Sequence, residues 1–485
     1  MSNDREVAIR GSLWTSVSTA VNLVTTFARV MILTRFLEKS DFGMVAIINM
    51  VIGLCVTFTD LGFASVIMYK QKLTDKEFST LYWTQLMLFV CIYFLLCLCS
   101  PLVSTFYGES VLVILIPIAS LSVICQAIGK LYDSVLQKRY QFKLLAFRNI
   151  VSNLISLVIA LWMVWKGYGV YSLIFSTLSQ AVILNVWNFI SGFKIQKVSF
   201  LFDFKEIIPL IKIGVYQTGT RILDFFSSKL DVMIIGKLLG TEALGVYDLA
   251  KGLAFNFVDF FRTVVSKVAL PILSNSNSDD DSVKSKFLII TKTVATLCIP
   301  ICLAIAVFSK DIVHIVYGEK YLEMSPMVTV FAIITVFTSI TCFFDMLGIS
   351  KGRTDLNFRN TIYRVVLTSL AIFICSHISI FAVAIGQLFI TIIMSIIFWR
   401  VVVTKTYPIP VKLYLSQFDK LLIVNAIICL IVLAIRQTGI ISCIAPGWII
   451  KFCLEAVLYV LLLAAGAGLF LKDDIRFFTD FIKNR

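Results

Sequence analysis

The stretch RVMILTRFL, Arg29 to Leu37, returns as DVMIIGKLL, Asp231 to Leu239, at an offset of 202. Two further matches keep nearly that spacing: FYGE at 106–109 with VYGE at 316–319, and Phe147-Arg148-Asn149 with Phe358-Arg359-Asn360. Three matches in one order mark an internal duplication. Each string lies in or beside a long apolar run, so the duplicated unit is a set of hydrophobic segments.

Outward from these anchors the same texture continues. The chain has 485 residues, 59% hydrophobic and 15% charged, with a mean hydropathy of +0.93. Apolar stretches of about 20 residues, the length that crosses a bilayer's hydrocarbon, recur from Leu13 to Leu471. Read as spans, they number about fourteen. The first follows Arg5 and Arg10, exceeds the length of a signal peptide's core and lacks a small-residue cleavage pattern, so it is expected to remain as the first span.

The repeat offset covers six spans. An even number brings both copies into the membrane in the same sense, which predicts an axis along the membrane normal. The expected fold class is therefore an all-α polytopic membrane protein of about 14 transmembrane helices. An N-terminal lobe covers 1–193 and an interfacial linker 194–206. A C-terminal lobe covers 207–400, and two appended helices with a cytoplasmic tail cover 401–485.

Lys and Arg concentrate on alternate connections, roughly three to one, which places both termini in the cytoplasm. That topology accounts for the net charge of +14 without nucleic acid as a partner. The 12 cysteines lie almost wholly in apolar runs, and His314 and His377 are the only histidines, so neither a metal site nor a cofactor is expected. With short outer loops as well, the sequence reads as a transporter and not an enzyme. Lobes of this kind enclose a central cavity that rocking exposes to each side in turn.

Charge inside a span is costly and marks a cavity or an ion pair. Arg29, Asp60, Arg221, Asp224, Lys229, Asp231, Asp248, Lys251, Asp259 and Arg262 fall in spans one, two, seven and eight. Under the offset Arg29 corresponds to Asp231 and Asp60 to Arg262, with opposite signs. By depth, Arg221 with Asp259 and Lys229 with Asp248 are equally readable as salt bridges or as functional groups. Arg29, Lys251 and Arg262, with Arg221, are the candidate anion ligands, since a guanidinium fork suits phosphate oxygens.

The strings FLEKSDFGMVAIINMVIGLCVTFTDLGFASVIMYKQKLTDKEFSTLYW (36–83), VLQKRYQFKLLAFRN (135–149), KLDVMIIGKLLGTEALGVYDLAKGL (229–253) and PICLAIAVFSKDIVHIVYGEKY (300–321) carry a family resemblance. The chain resembles bacterial polysaccharide-unit flippases, the Wzx type of the multidrug/oligosaccharidyl-lipid/polysaccharide exporter superfamily, from about residue 10 to 400. The resemblance implies a substrate made of an oligosaccharide repeat unit on polyprenyl pyrophosphate, turned over from the cytoplasmic to the periplasmic face of the inner membrane. It further implies a proton or sodium gradient acting on a carboxylate such as Asp60, Asp224 or Asp259, and polymerase or export partners. Two rivals stand beside this reading. A drug or organic-cation exporter of the superfamily needs a carboxylate-rich cavity, and a membrane-embedded polysaccharide polymerase needs a large outer loop.

Overall fold

Inside a bilayer backbone amides find no water, so each apolar run closes its hydrogen bonds within a helix. The computed structural model describes residues 2–59, 62–70, 74–200, 204–274, 280–438 and 447–470. Among these every regular element is helical. The first seven are α1 (Ser2–Leu33), α2 (Lys39–Thr59), α3 (Phe63–Tyr69), α4 (Asp75–Tyr107), α5 (Leu112–Lys138), α6 (Phe142–Trp165) and α7 (Tyr171–Phe193). Next come α8 (Phe204–Leu238), α9 (Gly240–Ser274), α10 (Asp280–Val307), α11 (Ser309–Val316), α12 (Ser325–Thr341) and α13 (Phe344–Ser350). The series ends with α14 (Thr354–Ser376), α15 (Ile380–Phe398), a single turn α16 (Thr404–Thr406), α17 (Val411–Thr438) and α18 (Trp448–Phe470).

Among the described residues, twelve helices are long and apolar enough to cross a membrane, which makes this an all-α multi-pass membrane protein. Helices α8 and α9 have 35 residues each. They are long enough to span, but charges interrupt them, so the expected total of fourteen depends on these two. The segments 201–203 of the expected linker, 275–279, and the tail 471–485 lie outside the described residues.

The helices gather in two compact units, Met1–Leu249 with Thr368–Ile380, and Ala250–Leu367 with Phe381–Arg485. In the first unit α5 packs on α4 and α7, α6 on α1 and α7, and α2 on α8. The repeated strings show why they are alike. Leu33 and its equivalent Ile235 are both fully buried. Tyr107-Gly108 and Tyr317-Gly318 each end a helix with a glycine at positive φ, 77° and 89°, where a side chain is disfavoured.

Six residues beyond the first string, the repeat acts on itself. Gly43 of α2 and Gly245 of α9 are equivalent at the 202 offset, and they meet. A Cβ on Gly43 would overlap the Thr241 carbonyl, and one on Gly245 would overlap the Lys39 carbonyl. Lys39 and Thr241 are themselves repeat equivalents, so the crossing is exchanged with itself by a local two-fold. The Lys39 ammonium lies 3.6 Å from Glu242, and Thr241 donates to Glu109 at 2.6 Å.

In the second unit α10 packs on α12 and α17, and α17 on α18. The sequence reads 322–348 as one rod. The structure breaks it between α12 and α13 at Cys342 and Phe343. The break frees the Ile340 carbonyl, which accepts from the buried Tyr414 hydroxyl. Phe344, Trp399 and Phe287 pack their rings around Tyr414, with centroids 5.5, 4.8 and 6.0 Å away.

Gly43→Ala and Gly245→Ala are each expected to push α2 and α9 apart and cost about 1–3 kcal/mol, the usual range for overpacking. Gly252→Ala, whose added carbon meets only the Asn256 amide at 3.8 Å, is expected to leave stability unchanged or raise it slightly. Thermal unfolding of the three purified variants in one detergent checks the contrast.

Candidate functional site

Arg29 sits four residues before the end of α1. Its Nη2 donates to Ser156 Oγ of α6 at 2.5 Å, while its buried Nε has no hydrogen-bond partner. A guanidinium held in the bilayer by one hydroxyl keeps most of its donor capacity and all of its charge. Its repeat equivalent Asp231 is treated differently. That carboxylate is 4% exposed, and it accepts from the Tyr247 hydroxyl at 2.8 Å and the Val232 amide at 2.9 Å. Asp231 is thus a locked internal acceptor.

On α8, Arg221 and Asp224 are exposed and Lys229 is half-buried. Along α9, Asp248 and Lys251 are half-buried, whereas Asp259 and Arg262 are exposed. Positions 251, 255, 259 and 262 recur at three or four residues and share one helix face. The Lys251 ammonium lies 6.0 Å from the centre of the Phe255 ring. Asp259 is close enough to Arg262 and Lys251 for both charges to act on it. Asp60 lies outside the described residues.

The sequence offers Arg262 no partner, and the structure supplies one. Asp345, just after the break between α12 and α13, places its carboxylate 3.9 Å from Arg262 Nη2. Their side chains are 49% and 40% exposed. Charges that open are costly against lipid, which favours water over hydrocarbon beside them. Asp345 is held by its backbone: its carbonyl accepts from the Asn357 amide at 2.8 Å, and its carboxylate accepts from the Met346 N–H at 3.1 Å.

Two other charged groups inside spans escape a reading confined to spans one, two, seven and eight. Arg148 of α6, 3% exposed, is ion-paired with Asp133 of α5, whose other oxygen accepts from Gln137 at 2.7 Å. At the end of α17, Arg436 pairs with Asp311 of α11 and lies 3.1 Å from Glu455 of α18. It also donates to the Val307 carbonyl at 2.8 Å. This cluster fastens the last two helices to α10 and α11. The signal for all of them is the same, a charge within an apolar run; what sequence lacks is the partner. Among the described residues no group of three His, Cys, Asp or Glu side chains is placed to hold a metal.

A family model described as "Polysaccharide biosynthesis protein" matches residues 32–326. The chain belongs to this polysaccharide biosynthesis protein family. It is 26% identical over 357 residues to the teichuronic acid biosynthesis protein TuaB of Bacillus subtilis, covering 72% of each chain. It is 22% identical over 400 residues to the lipopolysaccharide biosynthesis protein WzxC of Escherichia coli, covering 82% of this chain and 81% of that one. Among solved structures, the lipid II flippase MurJ in an inward closed conformation superposes with a TM-score of 0.73 at 16% identity. The match covers 96% of this chain and all of MurJ, so this polysaccharide biosynthesis protein has the MurJ fold.

In this family member the paired charges divide into those sealed by a partner and those left open. Arg148→Ala is expected to strand Asp133 and cost about 3 kcal/mol, the low end of the range for a broken buried pair because Asp133 keeps some solvent. The double change Asp133→Asn with Arg148→Gln should recover most of that loss. Melting curves and membrane protein levels of the single and double variants check this.

Proposed function

We propose that this protein is a flippase. It turns oligosaccharide repeat units on polyprenyl pyrophosphate from the cytoplasmic to the periplasmic face of the bacterial inner membrane, for assembly of an exopolysaccharide, capsule or O-antigen. The observation that carries this reading is the half-exposed Arg262 of a bilayer-spanning chain, 3.9 Å from its nearest carboxylate, with Arg29 held by a single hydroxyl. Relatives named for teichuronic acid and lipopolysaccharide biosynthesis support it, as does a fold shared with a protein named a lipid II flippase. A polyprenyl pyrophosphate needs cations for its phosphates, water for its sugars and a lipid-facing gap for its tail. Half-exposed guanidinium groups on membrane helices meet the first two needs.

In this reading two six-helix lobes, 1–193 and 207–400, rock about the cavity, and the N- and C-termini are cytoplasmic. Arg29 and Arg262 take the pyrophosphate, Lys251 and Arg221 add positive potential, and Asp259, Asp224 or Asp60 takes a proton or sodium ion that drives the cycle. Glycosyltransferases load the substrate and a polymerase consumes it. An organic-cation exporter is disfavoured, because Arg262 and Lys251 flank Asp259.

Arg29→Ala and Arg262→Ala are each expected to abolish most polymer export, by tenfold or more on the scale of a lost charge-assisted contact, with protein level and insertion unchanged. Complementation of a flippase deletion, scored by surface polysaccharide and by immunoblot of membranes, checks it. Full polymer in both variants would remove the pyrophosphate site.

A further inference from the structure

The two lobes use the same charged positions in different ways. In the first, Asp133 is ion-paired with Arg148 of its own lobe, and Arg148 is buried at 3% exposure. The repeat equivalents, within one residue of the 211 offset, are Asp345 and Arg359. Here the pattern opens. Arg359 is exposed, the helix is broken immediately before Asp345, and Asp345 faces Arg262 of α9 at 3.9 Å. The pair is loose and open, beyond hydrogen-bond length and about half exposed on both sides. The charge of Arg364 on α14 also acts on Asp345, so the carboxylate stands between cations.

We propose that Asp345 is the resident counter-ion of Arg262, and that the pyrophosphate of the lipid-linked substrate displaces it on loading. The inference rests on the flippase reading and adds a residue that sets affinity. A bare guanidinium in the bilayer would bind the pyrophosphate too tightly to let it go on the far side. A carboxylate that returns to Arg262 competes with the phosphate and promotes its departure. The geometry suits the exchange. Asp345 is positioned by backbone contacts to Met346 and Asn357, so it stays in place when Arg262 turns away. The 3.9 Å separation means that little is lost when it does.

The test is binding of farnesyl pyrophosphate, with inorganic pyrophosphate as a headgroup probe, to the full-length protein in nanodiscs. Asp345→Asn is expected to bind farnesyl pyrophosphate about five- to tenfold tighter than wild type and to export polymer more slowly, as release becomes limiting. Asp345→Glu keeps the counter-ion and should stay near wild type in both. Arg262→Ala should bind at least tenfold more weakly, and adding Asp345→Asn to it should change nothing further. Unchanged or weaker binding by Asp345→Asn, or the same gain in the Arg262→Ala background, overturns the counter-ion role while leaving the flippase intact. Absence of binding by the wild type overturns both.

Discussion

The crossing of α2 over α9 at Gly43 and Gly245 sets how closely the two repeats approach at that place. Each backbone lies where the other's Cβ would be, so neither position tolerates even a methyl group. In lipid no hydrophobic force drives one helix onto another, and close approach through small residues is the main source of attraction. A contact built from equivalent residues on both sides is isologous, which is the way two like surfaces meet around a two-fold. Duplication of a bundle presenting one glycine at that place produces the contact in a single step.

From that crossing the polar surroundings follow. The Lys39–Glu242 pair and the Thr241–Glu109 hydrogen bond lie beside the two glycines, where helix ends emerge from the apolar layer and charge is cheaper. Deeper in, two kinds of arginine stand apart among the described residues. Arg148, whose Nη2 pairs with Asp133 while its Nε and Nη1 find no hydrogen bond, and Arg436 with Asp311 and Glu455, meet carboxylates that hold helices together. Arg29 and Arg262 have no carboxylate in hydrogen-bond contact, one meeting a hydroxyl and the other a carboxylate at 3.9 Å. Incomplete satisfaction is a poor stabiliser and a good binding site, since a ligand's oxygens supply what the protein withholds.

Most of the fold was legible because membrane spans write themselves as apolar length, and because the duplication left strings tied to geometry. FYGE and VYGE survive since a helix must end on a residue with positive φ. The Gly43–Gly245 contact could not be read, as a glycine in a helix carries no mark of its neighbour. The break at Cys342–Phe343 was invisible for another reason. No proline or glycine marks it, and it depends on Tyr414 of a distant helix accepting the role of partner to Ile340. Cost in lipid marks the candidate cations, whereas Asp345 lies inside a run that reads as one continuous rod.

The opposite signs at equivalent positions follow from the same economy. Arg29 and Asp231 occupy one place in the two repeats, yet Asp231 is sealed by Tyr247 and Val232 while Arg29 keeps an idle Nε. An arginine at both places would leave two guanidinium groups needing partners in hydrocarbon. Converting one copy to a hydrogen-bonded acid leaves a single cation open at that place. A carrier must release what it binds, so a cation unmatched across the repeat serves turnover better than a symmetric pair at that place.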